Sequence, residues 1–166
     1  MSILETIKNR RSIRKFKNTP VPENVINRLL EAMIWAPSAG NLQDRHFILV
    51  FNKEIKNKLA KVTCNQMFIA DAPVLIVACS DITAISHYGQ RGIKIFTHQD
   101  MGASIQNLLL AAYEEGLGTV WIGAFDSKKA SEILGLPDHL FQLQWFLLVT
   151  QMKHQQRPEG IQSRIP

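Results

Sequence analysis

A chain of 166 residues, 46% hydrophobic and 20% charged, has the composition of an ordinary folded domain and leaves no case for extended disorder. Its formal charge of +5, carried largely at the two ends, favours anionic partners such as nucleotides, phosphorylated cofactors or nucleic acid. Cys64 and Cys79 match no metal or redox spacing, no basic-then-apolar leader opens the chain, and no apolar run approaches the roughly 18 residues of a membrane span; a soluble protein in the reducing cytoplasm is therefore expected, with no membrane partner.

Ser2 and Glu5 form a capping box, which predicts a short helix with Ile3, Leu4 and Ile7 on one face. That helix delivers the stretch Asn9-Arg10-Arg11-Ser12-Ile13-Arg14-Lys15-Phe16. Lys8, Arg10, Arg11, Arg14, Lys15 and Lys17 place six cations within ten residues, and no carboxylate intervenes between Glu5 and Glu23. Arginine forks donate paired hydrogen bonds to phosphate oxygens, and the Ser12 hydroxyl adds a short uncharged donor between them. The stretch reads as a phosphate grip; taken alone, a solvated basic face or a nucleic-acid patch is the more ordinary explanation, and the rest of the chain has to decide.

Val25, Ile26, Leu29, Leu30, Met33 and Ile34 recur at helical spacing until Pro37 stops the run. Residues 37–41 are a loop of small and polar residues, a natural site wall, and 46–51 read as a strand. A surface helix over 53–62 precedes a strand over 73–79 that is apolar on both faces and so expected to be central. Residues 82–96 give only a weak signal, with Gly89 and Gly92 suggesting a mobile or irregular segment. The clearest helix spans 98–115, its apolar stripe made by Met101, Ile105, Leu108, Leu109 and Ala112 and its stop by Gly116. A short strand over 119–122, a helix capped by Asp126 or Ser127 and ending at Gly135, and a strand over 142–150 complete the series. About four strands among five helices, not strictly alternating, predict an α+β fold in one domain spanning 1–166, with a mixed, mainly antiparallel central sheet flanked by helices.

Several chemistries fall away. Gly116 and Gly118 begin a dinucleotide fingerprint, but its third position is Trp121 and the segment follows a helix where that fold needs a strand. His46, His87, His98, His139 and His154 are scattered without ligand spacing, so no metal is expected. No Gly-x-Ser-x-Gly elbow supports a serine nucleophile. What remains is an anion grip with amide- and glycine-rich loops, the groups that flavin mononucleotide (FMN) requires: cations for its phosphate, amides for its pyrimidine edge, and a backbone N–H near the nitrogen that accepts hydride.

The motifs Arg10-Arg11-Ser12-Ile13-Arg14, then Ala36-Pro37-Ser38-Ala39-Gly40-Asn41-x-Gln43, then Gln99-Asp100 with Gln106-Asn107, then Gly116-Leu117-Gly118-Thr119-x-Trp121-Ile122-Gly123, occur in this order. Together they resemble the nitroreductase family. The resemblance implies a homodimeric flavoenzyme with a long core helix at the dimer interface and each FMN held by both chains. Arg10, Ser12 and Arg14 match the family's phosphate and ribityl contacts, with Arg11 as a neighbour. Pro37, Ser38, Ala39 and Asn41 match the loop that the partner chain lays against the ring. Asn65 or Gln66 would supply the pyrimidine-edge amide, while Ile122 and Gly123 match the segment beside the ring, the Gly123 N–H facing the hydride-accepting nitrogen. Arg164, or in second place Arg157, matches a C-terminal phosphate contact. Two departures stand out: the frequent Gln-Pro-Trp is Gln43-Asp44-Arg45 here, and the usual Gly-Tyr-Pro after the last strand is Gln151-Met152-Lys153.

The implied reaction is a ping-pong transfer in which NADH or NADPH reduces the flavin and a small nitroaromatic or quinone-like acceptor reoxidises it. The flavin carries the chemistry, so no side chain is nominated as catalytic. The alternatives are a flavin-dependent dehalogenase or dehydrogenase of the same family, and a non-enzymatic anion- or nucleic-acid-binding module. Against nucleic acid, only Phe16 interleaves an aromatic ring among the cations.

Overall fold

A computed structural model describes residues 2–137 and 141–151. Helix α1 (Ile3–Asn9) starts on the expected capping box, with Ser2 Oγ accepting from Glu5 N and Ser2 N donating to Glu5 Oε2. α2 (Glu23–Ile34) buries Ile26, Leu29 and Met33 and ends three residues before Pro37. β1 (Arg45–Val50) leads into α3 (Lys53–Val62), whose first turn is capped by Asn52 Oδ1 accepting from Glu54 N and Ile55 N. β2 (Val74–Asp81) follows. After the short α4 (Gly89–Arg91) come the long α5 (Thr97–Glu114), β3 (Leu117–Ile122), α6 (Ser127–Leu134) and β4 (Phe141–Gln151). α6 has the expected Asp126 cap at one end and left-handed Gly135 at the other.

The strands form one sheet in the order β1-β2-β4-β3, every neighbouring pair antiparallel. The parallel element is a single bridge between Ser12 and Thr119. β2 is interior, as its doubly apolar sequence requires. Val74, Ile76 and Ala78 point to one face, packed with Leu29 and Met33 of α2 and Met101, Ile105 and Leu108 of α5. Leu75, Val77 and Cys79 point to the other, packed with Leu59 and Ala60 of α3 and Ala130 of α6. A helical layer thus covers each face of the sheet. Each fully buried Leu, Ile or Met contributes roughly 1.5–3 kcal/mol of transfer free energy.

Segment 82–96, expected to be irregular, is ordered. Asp81 Oδ1 accepts from Thr83 N, Thr83 Oγ1 and Ala84 N, closing a turn. A 3-10 turn (Ser86–Tyr88), α4 and a π-helical turn (Gly92–Phe96) then run directly into α5. Gly92 permits this packing: a β-carbon there would lie 2.7 Å from Ile85 O and 2.8 Å from Tyr88 Cβ. Such close-packed turns carry no periodic apolar signature, so no element is legible there from the residues alone.

Candidate functional site

Three segments meet at the β3 edge of the sheet. The first is the cation-rich stretch. Ile13 N donates to Thr119 O at 2.8 Å, Ser12 bridges Thr119, and Lys17 exchanges bonds with the Thr150 hydroxyl, donating through N and accepting through O. Arg10 and Arg14 have no ion-pair partner among the described residues. Arg10 is half-buried, and burial together with the charge of Arg11 pushes its guanidinium pKa down. A desolvated cation beside another cation is stabilised by an anion. Arg11 behaves differently: its Nη1 donates to Lys8 O at 2.6 Å and Arg10 O at 2.7 Å, closing the C-terminus of α1.

The second segment follows α3. Phe68 stacks at 6.0 Å from Phe16, joining it to the cation stretch. Cys64 and Asn65 are exposed and left-handed, with φ of +53° and +55°, while Gln66 is half-buried. Consecutive non-glycine residues in that region are uncommon and concentrate at functional turns. The third segment is the end of β3, where Ile122 is buried and Gly123 exposed. The loop beyond it is pinned to α3 by Asp126 N donating to Val62 O at 2.9 Å. Arg10, Ser12, Arg14, Asn65, Gln66, Ile122 and Gly123 therefore belong to segments tied together at one edge.

The fourth predicted segment lies elsewhere. Pro37, Ser38, Ala39 and Asn41 precede β1, at the opposite edge of the sheet, three inter-strand spacings or roughly 14 Å from β3. There Asp100 Oδ2 accepts from Ala39 N at 2.8 Å, and Ser38 Oγ accepts from Gln43 N at 3.0 Å. Gly40, Asn41 and Gln43 all have positive φ. Arg164 and Arg157 lie outside the described residues.

Of Asp44 and Arg45, singled out only as a departure from the family pattern, Arg45 clamps this loop and Asp44 is buried beside it. Arg45 is 8% exposed and donates to Ala36 O at 3.0 Å and Pro37 O at 3.2 Å. Asp44 is 1% exposed, its carboxyl lying among Ser80, Arg45 and Asp100. Burial, and then the charge of Asp100, raise its pKa, with Ser80 and Arg45 offsetting part of the shift. Burial likewise lowers the pKa of Arg45, opposed by the charges of Asp100 and Asp44. No local pattern announces a buried Asp-Arg pair at the start of an edge strand, so sequence reasoning passed over it. Cys79 is chemically quiet, its buried thiol pushed up to about 11.

The site residues fit an FMN-sized cofactor in kind: arginines without ion-pair partners among the described residues beside a hydroxyl, the exposed left-handed amide of Asn65 with Gln66 next to it, and an exposed glycine ending a strand. Comparison with known proteins points the same way. The model of the nitroreductase family matches residues 7–68 and 60–149. A Methanothermobacter thermautotrophicus protein, provisionally named NADH dehydrogenase/NAD(P)H nitroreductase, is 38% identical over 144 residues, 84% of this chain and 72% of its own. The Bacillus subtilis FMN reductase [NAD(P)H] is 30% identical over 155 residues, 85% of this chain and 62% of its own. The solved structure of the Vibrio harveyi NADPH:FMN oxidoreductase complexed with NAD+ superposes with a TM-score of 0.84 at 28% identity, covering 95% of this chain and 72% of that one.

Proposed function

The chain belongs to the nitroreductase family, and on that premise we propose that it is a homodimeric, cytoplasmic, FMN-dependent oxidoreductase in which residues 1–166 form one flavin-binding domain. Bound FMN supplies the redox chemistry, accepting hydride from NADH or NADPH and passing reducing equivalents to a small nitroaromatic or quinone-like acceptor by a ping-pong mechanism. Relatives named as FMN reductase and NADPH:FMN oxidoreductase support the cofactor and the reductant.

The observation that carries this reading is the uncompensated charge of Arg10 and Arg14 on either side of Ser12, held against β3. In this reading Arg10, Ser12 and Arg14 hold the phosphate and ribityl chain, with Arg11 supporting them through the end of α1. Asn65 or Gln66 donates to the pyrimidine edge, and Ile122 and the Gly123 N–H border the ring. Arg164 or Arg157 would add a second cation to the phosphate.

The 37–41 loop reaches a ring at the β3 edge only from a second copy, because the width of the sheet separates the two within one chain. Exposed apolar side chains support such an assembly: Trp35 is 78% and Ile34 54% exposed beside that loop, and Ile3, Leu4 and Ile7 are exposed on α1. No helix among the described residues is long and apolar enough to cross a membrane.

The visible spectrum of the purified protein tests the proposal, recorded before and after anaerobic addition of NADH or NADPH. Flavin bands that bleach on addition are expected. A colourless protein that cannot be reconstituted with FMN would overturn the reading. Sedimentation of the loaded protein tests the dimer separately.

A further inference from the structure

Beside the end of β1 and the start of β2 the described residues line a half-open pocket of about 350 Å³, within the size range of small-molecule pockets. Pro20, Val21, Phe51 and Val74 give it apolar walls, and Lys53, Lys56 and Asp71 its charges. It is lined by none of Arg10, Ser12, Asn65 or Gly123. Asn18, Lys53 and Asp71 also line a neighbouring cavity that extends to Arg14 and Lys15, so the approach is basic.

Lys56 is the unusual member. It is only 5% exposed, on the face of α3 that otherwise buries Leu59 and Ala60. Its ammonium donates to Ala72 O at 2.5 Å. An ammonium has three N–H groups, so this single acceptor leaves the others without a protein partner among the described residues. The cavity's carboxylate, Asp71, is already paired with Lys53 at 3.0 Å. Burial lowers the Lys56 pKa, the charge of Lys53 lowers it further, and Asp71 opposes both. Two lysines and one aspartate leave the cavity a single positive charge in excess. Lys53 and Asp71 are largely exposed, so the cost of holding an unmatched charge falls on the buried ammonium of Lys56.

We propose that this cavity binds a small organic monoacid, its apolar body against Val21, Phe51 and Val74 and its carboxylate on Lys56 and Lys53. A monoanion matches the excess charge, and the apolar walls favour an aromatic or branched body over an inorganic anion. The pocket itself contains none of the residues proposed to hold the flavin, although Arg14 lines its approach, and the assignment does not depend on the flavin reading.

Calorimetric titration of the full chain with sodium benzoate, in the presence of excess FMN, tests the assignment. Saturable binding at one per chain is expected, with neutral benzamide at least tenfold weaker and Lys56→Met reducing benzoate affinity at least tenfold. The flavin visible spectrum should stay unchanged at saturation. Lys53→Met, at an exposed side chain that folding tolerates, should also weaken benzoate severalfold. Absence of binding at millimolar benzoate overturns the proposal. So does binding that shifts the flavin spectrum and survives both substitutions, since the acid would then sit at the flavin.

Discussion

Gly118 lies flush against Ile13: a β-carbon at position 118 would stand 2.7 Å from Ile13 Cγ1 and 3.0 Å from Ile13 Cβ. Glycine is needed here for close approach, because the neighbouring bond from Ile13 N to Thr119 O fixes the backbones together. This contact sets the register of the arginine stretch on β3. It ties a backbone vacancy in one strand to the charge arrangement of the candidate site.

Gly118→Ala should therefore push residues 12–14 off β3. Overpacking of this kind costs about 1–3 kcal/mol. Urea unfolding should report that loss, and fluorescence titration should report weaker FMN binding, as Arg10, Ser12 and Arg14 move with Ile13. Wild-type stability with wild-type affinity would contradict the register argument.

Arg10 and Arg11 are adjacent but should separate in a substitution test. Arg11 spends its guanidinium on the Lys8 and Arg10 carbonyls, whereas Arg10 has no ion-pair partner among the described residues. A charged hydrogen bond contributes roughly 1.5–3 kcal/mol. Arg10→Ala should thus weaken FMN by at least about tenfold, and Arg11→Ala much less. Equal losses in the two titrations would mean that Arg11 leaves its carbonyls to join the phosphate.

Asp44 predicts a pH-dependent stability. Its pKa is raised in the folded state, by burial first and the charge of Asp100 second. At low pH both folded and unfolded chains hold the proton and nothing is lost. As pH rises through the ordinary carboxylate range the unfolded chain ionises freely while the folded one resists, so stability falls until the raised folded pKa is passed. Asp44→Asn removes this slope. Thermal melts between about pH 4 and pH 8 should show the variant gaining on the wild type as pH rises. A constant difference across that window would show Asp44 to be ionised and compensated throughout.

Gly40 combines two constraints that can be separated. Its φ is +58°, and a β-carbon would lie 2.5 Å from the Tyr88 hydroxyl. Gly40→Ala should cost more than about 1 kcal/mol from the backbone alone. In a double-mutant cycle Tyr88→Phe should recover only the part due to the hydroxyl. Full recovery would mean that the left-handed backbone carries no strain.

The helices were legible because their stabilising contacts repeat locally. Ile26, Leu29 and Met33 on α2, and Met101, Ile105 and Leu108 on α5, write their buried faces directly into the chain. β2 was legible as central because both of its faces are apolar. The arginine stretch was legible by charge, and the role proposed for it rests on the resemblance; chemistry alone left a nucleic-acid patch open. Arg11 shows the limit, since its composition matches that of Arg10 while its hydrogen bonds serve α1.

The sequence by itself determined the elements outside 82–96, the central strand and the family, because periodicity, caps and ordered motifs are properties of neighbouring residues. Only the tertiary structure decided that Asp44 and Arg45 are buried and that Arg45 clamps the carbonyls of Ala36 and Pro37. It alone decided the order β1-β2-β4-β3, which puts the 37–41 loop and Gly123 on opposite edges of one sheet. Lys56, polar on paper, is buried for the same reason. Burial and strand order arise from contacts between residues far apart in the chain, and no local pattern encodes which distant partner a side chain meets.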